Sequence, residues 1–462
     1  MVSSCVILFP GQGAYFPGAL AALAAHEPVV AETVDAADDM AVRSGTESVS
    51  PLLLDTEAAS LADLARSSPA LLHSAIFTVE MALFRLLTQK YGVRPRLLLG
   101  HSFGELTALC AAGFYSLEDG FRLVSARDAA FASRSFKAGG MVALECSAIR
   151  GRHLLAAAGE DEVSLAADNG PRQCVVSGPE DALRRVLEAA QALRIQARRL
   201  LVPYPFHHRC LAGVAEDFGE RASSLTVRPA RYPVYSAILG GEVGDGVGVA
   251  ALAASHLVRP SRFADAVRVI HARGAEVFLE CGPRGTLTDL MAGLAPGVLA
   301  LAPLRRRAGS ADLGRILETL SETDKAEEKA MERAVTPPVS SSSRREGESV
   351  SDAGSPRSSG SREPDDTPDR GQVIAGLRAL FAKALGYPED VLTEDADLEA
   401  ELGVDSIKQT ELFTRVLRSH GRALPGEGAV RLTNYTTLGA LADLLLTMPQ
   451  ATEPVDRPKV VR

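Results

Sequence analysis

Residues 96–112 read RLLLGHSFGELTALCAA, an apolar run that stops at a serine between glycines and restarts in helix formers. The run at 96–99 has the unbroken apolar character of a buried parallel strand, and ELTALCAA at 105–112 favours helix. Between them GHSFG matches GxSxG, a strand-to-helix turn in which glycines permit a cramped backbone and the serine hydroxyl projects. The start of the following helix supplies amides near a developing oxyanion. Ser102 is the candidate nucleophile of this pattern, and the same five residues also read as a plain turn.

The strand-turn-helix reading extends along the chain. Short apolar runs at 5–9 (CVILF), 140–146 (GMVALEC), 173–178 (QCVVSG) and 276–282 (EVFLECG) alternate with helical periodicity at 69–87 and 181–193. Such alternation predicts an α/β body with a mainly parallel sheet. From Gly140 to Val202 the order is strand, helix, strand, strand, helix, strand, which predicts a small inserted ferredoxin-like subdomain over about 138–202. From Ser321 to residue 371 large apolar residues almost vanish, and Ser, Pro, Gly and mixed charge predominate. A segment of that composition cannot bury enough surface to offset its ordering entropy, so a flexible linker is expected. Beyond it, Val373, Leu377, Leu380, Phe381 and Leu385, then Leu412, Phe413, Val416 and Leu417, then Leu438, Leu441 and Leu445 recur at helical spacing. These predict a small all-α bundle over 372–448, followed by a disordered tail at 449–462.

Bulk properties exclude several classes. A chain of 462 residues exceeds what one core accommodates, so two or more domains are expected. Its net charge of −9, with no basic cluster, argues against nucleic acid. The six cysteines are far apart and include no CxxC, so no metal site and no disulfide framework are expected. No signal peptide is apparent and no apolar stretch is expected to reach membrane-spanning length, which together predict a cytoplasmic protein without a membrane partner.

A serine nucleophile needs a base. His101 adjoins Ser102 and would point away from it, and His73 sits in an apolar helical pattern that reads as core. VPYPFHHRCL at 202–211 presents His207 and His208 after a strand and a proline-braced turn, either as a base or as a loop pair without a catalytic role. At 8–18, LFPGQGAYFPG sets Gln12 between glycines, so an exposed amide there can face Ser102, although a plain turn reads equally well. The spacing is not GxGxxG, so no dinucleotide site is supported. In the tail, DADLEAELGVDSIKQTELF at 395–413 places Ser406 between an acidic loop and an amphipathic helix. That serine reads as a helix cap, or as a site in an acidic field suited to basic partner surfaces.

Together these stretches resemble the malonyl-CoA:acyl carrier protein transacylase family, joined to a carrier protein as in polyketide or polyunsaturated-fatty-acid synthases. The first resemblance covers residues 1–320 and rests on FPGQGA, GHSFGE, FRLVSARDAAF, NGPRQCVVSG, YPFHH, RPSRF and LECGPRGTLT; the second covers 372–448 and rests on LGVDSIK. The resemblance implies an α/β-hydrolase-like large subdomain carrying the ferredoxin-like insert. It implies a Ser102 acyl-enzyme with His207 as base, an oxyanion hole of the Gln12 and Phe103 amides, and Arg127 pairing with the substrate carboxylate. Asn169 falls at an active-site position, Phe206 at the wall that selects the acyl group, and Arg262 where a backbone carbonyl orients the histidine. Ser406 matches the serine that bears 4'-phosphopantetheine, and no metal is implied. The implied partners are malonyl-CoA or a related acyl-CoA, acyl carrier proteins, ketosynthase-containing synthase subunits and a phosphopantetheinyl transferase.

The sequence departs from the family at Ser68, where a glutamine is frequent before the proline, at Phe103, and at YPFH in place of HAFH or YASH. Two other readings stand beside acyl transfer: an acyl-thioester hydrolase with an editing role, and a carrier or docking protein with a degenerate acyltransferase half.

Overall fold

The first strand, β1 (Cys5–Phe9), is five consecutive buried residues, as a strand covered on both faces requires. In the computed structural model it lies at the centre of a six-stranded sheet with β2 (Pro95–Gly100), β7 (Val234–Ser236), β8 (Gly241–Glu242), β9 (Val277–Glu280) and β10 (Leu299–Leu301). The strand order is β10-β9-β1-β2-β7-β8, parallel throughout except for the short edge strand β8. Residues 5–244, 247–309, 311–318, 370–385, 392–394, 398, 412 and 437–447 are described.

A second, wholly antiparallel sheet holds β3 (Gly139–Leu144), β4 (Ser164–Gly170), β5 (Gln173–Pro179) and β6 (Ala197–Arg199) in the order β4-β5-β3-β6. Helices Ala148–Ala158 and Glu180–Ala192 pack on it through Leu154, Leu155, Leu183 and Val186. The segment therefore follows the strand-helix-strand-strand-helix-strand order read from its apolar runs.

The helix Pro69–Arg85 packs within the main core. Twelve of its seventeen residues are buried, among them Phe77, Val79, Leu83 and the polar His73 and Glu80. With its continuation to Lys90 it is 22 residues long and apolar enough to cross a membrane by length and composition, contrary to the sequence expectation. Its apolarity has another cause: 78% of its most apolar stretch is buried inside the fold.

The chain divides into two compact units, Met1–Asp324 and Lys325–Arg462. In the second, helices Arg370–Leu385 and Leu438–Thr447 correspond to the first and third periodic segments and share a core of Val373, Leu377, Phe381, Leu438, Leu441 and Leu445. The middle periodic segment apart from buried Leu412, the expected linker as far as residue 369, the tail and Ser406 lie outside the described residues, while Arg370 and Gly371, read as the end of that linker, already belong to the helix Arg370–Leu385.

Candidate active site

The strands β1 and β2 run parallel, with Phe9 paired to Gly100, so the chain leaves both at the same sheet edge. Carboxyl ends of adjacent parallel strands are where open α/β sheets place their ligands. After β2 the chain turns through His101, Ser102 and Phe103 into the helix Gly104–Ala112. Ser102 adopts φ 56°, a left-handed conformation that is uncommon for a non-glycine residue and is held here by its surroundings. The flanking glycines are sterically necessary. A Cβ on Gly104 would lie 2.1 Å from the Phe9 carbonyl oxygen, and one on Gly100 would lie 2.3 Å from the Glu105 amide nitrogen. Behind the turn, buried Glu105 accepts a hydrogen bond from the Ser236 hydroxyl, which in turn accepts from the amides of Ile238 and Leu239. Burial pushes the Glu105 carboxyl up to about 8.

Ser102 Oγ lies 2.7 Å from His207 Nε2. His207, too, sits at a positive φ of 60°. His207 Nδ1 lies 2.7 Å from the carbonyl oxygen of Arg259, so Nδ1 carries the proton and Nε2 is left to accept from Ser102. The expectation that Arg262 supplies this carbonyl is corrected. Arg262 caps the next helix, Phe263–Ala272, and sends its guanidinium to the Leu239 carbonyl at 2.7 Å. The loop that carries Arg259 is fixed nearby by Ser261, whose amide and carbonyl bond Ala166 and Asp168 of the small sheet. Burial, with His101 and Arg127 close by, lowers the His207 pKa to about 4, so the imidazole is neutral near pH 7.

The other anticipated residues fall around this pair. The Gln12 loop follows β1, with Gly11 and Gly13 at φ 71° and 96° on either side. No hydrogen bond among the described residues engages the backbone amide of Gln12 or of Phe103. Arg127, on helix Leu117–Ser133, is 1% exposed. Its Nε donates to His256 at 3.2 Å and one Nη to Asp128 at 3.2 Å, while the rings of Phe206, Phe103 and Phe131 surround the guanidinium at 4.8, 5.3 and 5.3 Å. Burial holds the pKa of this arginine below the usual value. Asn169, from β4, accepts from His101 Nε2 at 2.7 Å and donates to Gln173, so its side chain is committed to the residue before Ser102. Tyr204 stacks on Phe131 with ring centroids 4.1 Å apart.

Sequence reasoning missed four participants. His73, read as core, is buried yet hydrogen-bonds Gln12 and Asp128. His256 and the Arg259 carbonyl bear on Arg127 and His207, and Glu80 accepts from the Gly11 amide at 2.7 Å. The available signal was the pair His73 and Glu80, two titratable residues seven apart on one face of a largely apolar helix. Among the described residues no cluster could hold a metal ion.

Residues 6–297, more than half the chain, match the acyl transferase domain family. The chain belongs to that family. Residues 375–445 match the phosphopantetheine attachment site family, so this acyltransferase is fused to a carrier domain whose covalent cofactor is 4'-phosphopantetheine. The acyltransferase is 38% identical over 323 residues to the spectinabilin polyketide synthase system protein NorB of Streptomyces orinoci, covering 68% of this chain and 14% of that protein. It is 35% identical over 283 residues to mycoketide-CoA synthase of Mycobacterium tuberculosis, covering 61% and 6%. The chain thus spans a small part of the curated relatives it matches. Among solved structures it is similar to the acyltransferase domain from the second module of the salinomycin polyketide synthase (33% identity, TM-score 0.59, covering 67% of this chain and 71% of that one). It is also similar to an acyl-carrier-protein S-malonyltransferase from Burkholderia pseudomallei (27% identity, TM-score 0.61, covering 68% and 100%).

Proposed function

We propose that this acyltransferase moves a malonyl unit from CoA, through a Ser102 ester, to a carrier-protein thiol by a ping-pong route. The observation that carries the reading is the 2.7 Å contact between Ser102 Oγ, on its strained turn, and the unprotonated Nε2 of His207. His207 takes the hydroxyl proton as Oγ bonds to the thioester carbonyl carbon, and the amides of Gln12 and Phe103 receive the oxyanion. The C–S bond then breaks, and the imidazolium returns its proton to the leaving CoA sulfur. The Arg259 carbonyl stabilises that imidazolium, so a Ser-His dyad suffices without a triad acid.

Arg127 is the proposed clamp for the malonyl carboxylate. Its anchoring through Nε and one Nη leaves the other Nη for the ligand, and burial strengthens any ion pair it makes. Phe206, packed against the guanidinium, is the wall expected to disfavour branched extenders. Asn169 serves at one remove by holding His101.

When bound on Ser406, 4'-phosphopantetheine supplies the thiol that receives the acyl group. In that half-reaction His207 takes the thiol proton and returns it to Ser102 Oγ as the ester is cleaved. Placing both units on one chain gives the acceptor a usable effective concentration.

We assign residues 1–320 to the acyltransferase, 321–369 to a linker, 370–448 to the carrier and 449–462 to a tail. The large sheet reads as α/β-hydrolase-like and the insert as ferredoxin-like. A phosphopantetheinyl transferase, ketosynthase-containing subunits and a cytoplasmic setting complete the proposal. The test is to convert the chain to its holo form, offer acetyl-, malonyl- and methylmalonyl-CoA, and follow intact mass. Malonyl loading of the carrier that is lost in Ser102→Ala and in Ser406→Ala is expected. Normal loading in Ser102→Ala contradicts the mechanism, and free malonate accumulating far faster than loaded carrier favours a hydrolase.

A further inference from the structure

The helix Pro69–Arg85 touches the Gln12 loop twice. Glu80 Oε1 accepts from the Gly11 amide at 2.7 Å, and His73 Nε2 meets Gln12 Nε2. These two side chains are seven residues apart, hence on one face of the helix. The loop between them has little stiffness of its own, because Gln12 is flanked by glycines at φ 71° and 96°. We infer that His73, oriented by Asp128, is a positioning residue that fixes the Gln12 loop and ties it to the anchor of Arg127. This rests on the proposed roles of Gln12 and Arg127 in acyl transfer.

The hydrogen-bond directions are set by donor chemistry. His73 Nδ1 lies 2.7 Å from Asp128 Oδ1, and a carboxylate can only accept, so the proton resides on Nδ1. The opposite nitrogen then has a lone pair and accepts from the Gln12 side-chain amide. Arg127 Nη1 also donates to Asp128 Oδ1, at 3.2 Å, which brings it within 3.3 Å of His73 Nδ1 as two donors converge on one oxygen. The imidazole stacks on Phe103, with centroids 5.5 Å apart and planes at 26°, and the Arg127 guanidinium packs on the same ring. His73 is fully buried, and burial, with Arg127 beside it, disfavours its charged form. One neutral imidazole therefore links the loop of one proposed oxyanion donor, the ring of the residue carrying the other, and the carboxylate that orients the arginine.

A side chain that positions an oxyanion donor should act on the acylation rate more than on binding. Single-turnover acylation of Ser102 by malonyl-CoA and acetyl-CoA is measured on the full chain, with His73→Leu, His73→Gln, Asp128→Asn, Gln12→Ala and the His73→Leu/Gln12→Ala double variant. His73→Leu is expected to slow the chemical step about 30-fold for both thioesters, with the half-saturating concentration within about threefold of wild type. His73→Gln, which keeps an acceptor for Gln12, is expected to recover most of that loss. The double variant is expected to be no slower than the worse single variant. Asp128→Asn is expected to lower the preference for malonyl over acetyl by about tenfold, because it loosens Arg127.

Multiplicative losses in the double variant, or a His73→Leu rate within twofold of wild type, overturn the inference. If His73→Leu does not fold, the Gln12→Ala and Asp128→Asn results decide it: a wild-type acylation rate in the first together with a wild-type malonyl preference in the second overturns it. Wild-type protein that shows no Ser102-dependent acylation removes the proposed function and this inference together. Normal wild-type acylation with unaffected His73 variants removes the inference alone.

Discussion

Lowering the His207 pKa from the usual 6.5 to about 4 disfavours the imidazolium by about 3 kcal/mol, and the causes are burial first, then the neighbouring His101 and Arg127. The functional consequence is a base that stays unprotonated well into acid. At pH 5.5 a histidine of pKa 6.5 would be about 9% neutral, whereas one near 4 would be about 97% neutral. Single-turnover acylation of Ser102 should therefore be flat from pH 8 to about 5 and fall to half only near pH 4. The assay is quenched flow with intact-mass detection in Ser406→Ala protein, so that no acyl group moves onward, with a pH jump from 7.5 read within the first turnover. The jump matters because the same shift bears on folding. Between pH 6.5 and 4 the unfolded chain binds a proton at this site that the folded chain does not, so stability is complete above 6.5 and declines as pH falls through that window. A half-rate near pH 6.5 in protein that is still folded refutes the assignment of a desolvated base.

Two further outcomes follow from the packing. Gly104→Ala forces a Cβ to within 2.1 Å of the backbone of central strand β1, which cannot give way, so Ser102 acylation should drop by at least about 100-fold with a lowered Tm. The control is Gly213→Ala, whose Cβ would meet nothing within 4 Å; in its helix it should be neutral or slightly stabilising, and equal behaviour of the two variants contradicts the steric account. Glu105→Gln keeps an acceptor for Ser236 but cannot ionise. Because the folded carboxyl titrates near 8 rather than 4.5, wild-type stability should fall as pH rises between those values. Urea unfolding at pH 5 and pH 8 should show the variant gaining on wild type by a few kcal/mol at the higher pH, and a pH-independent difference would mean that Glu105 is ionised in the fold.

The elbow was legible because its requirements are local: a buried strand, two glycines without room for a Cβ, and a helix start within nine residues. The order of elements between Gly139 and Arg199 was legible for the same reason, since alternating apolar runs record it. Sheet order was not, because pairing β1 with β2 and β9 joins segments about 90 and about 270 residues apart, and no local pattern encodes that. The carbonyl orienting His207 was misplaced by three residues, from Arg259 to Arg262, because a carbonyl carries no side-chain signature and both arginines lie in one short loop. His73 looked like core by its period and is indeed buried; its partners Gln12 and Asp128 are 61 and 55 residues away and are brought to it only by tertiary packing.

The central claim is a covalent malonyl ester on Ser102, and its most direct measurement is peptide mapping of the Ser406→Ala chain after brief exposure to malonyl-CoA and an acid quench. A malonyl adduct confined to the peptide containing Ser102, absent in the Ser102→Ala/Ser406→Ala protein and removed by added pantetheine thiol, is the predicted result. An adduct on another residue, or none while CoA is released at the wild-type rate, contradicts it.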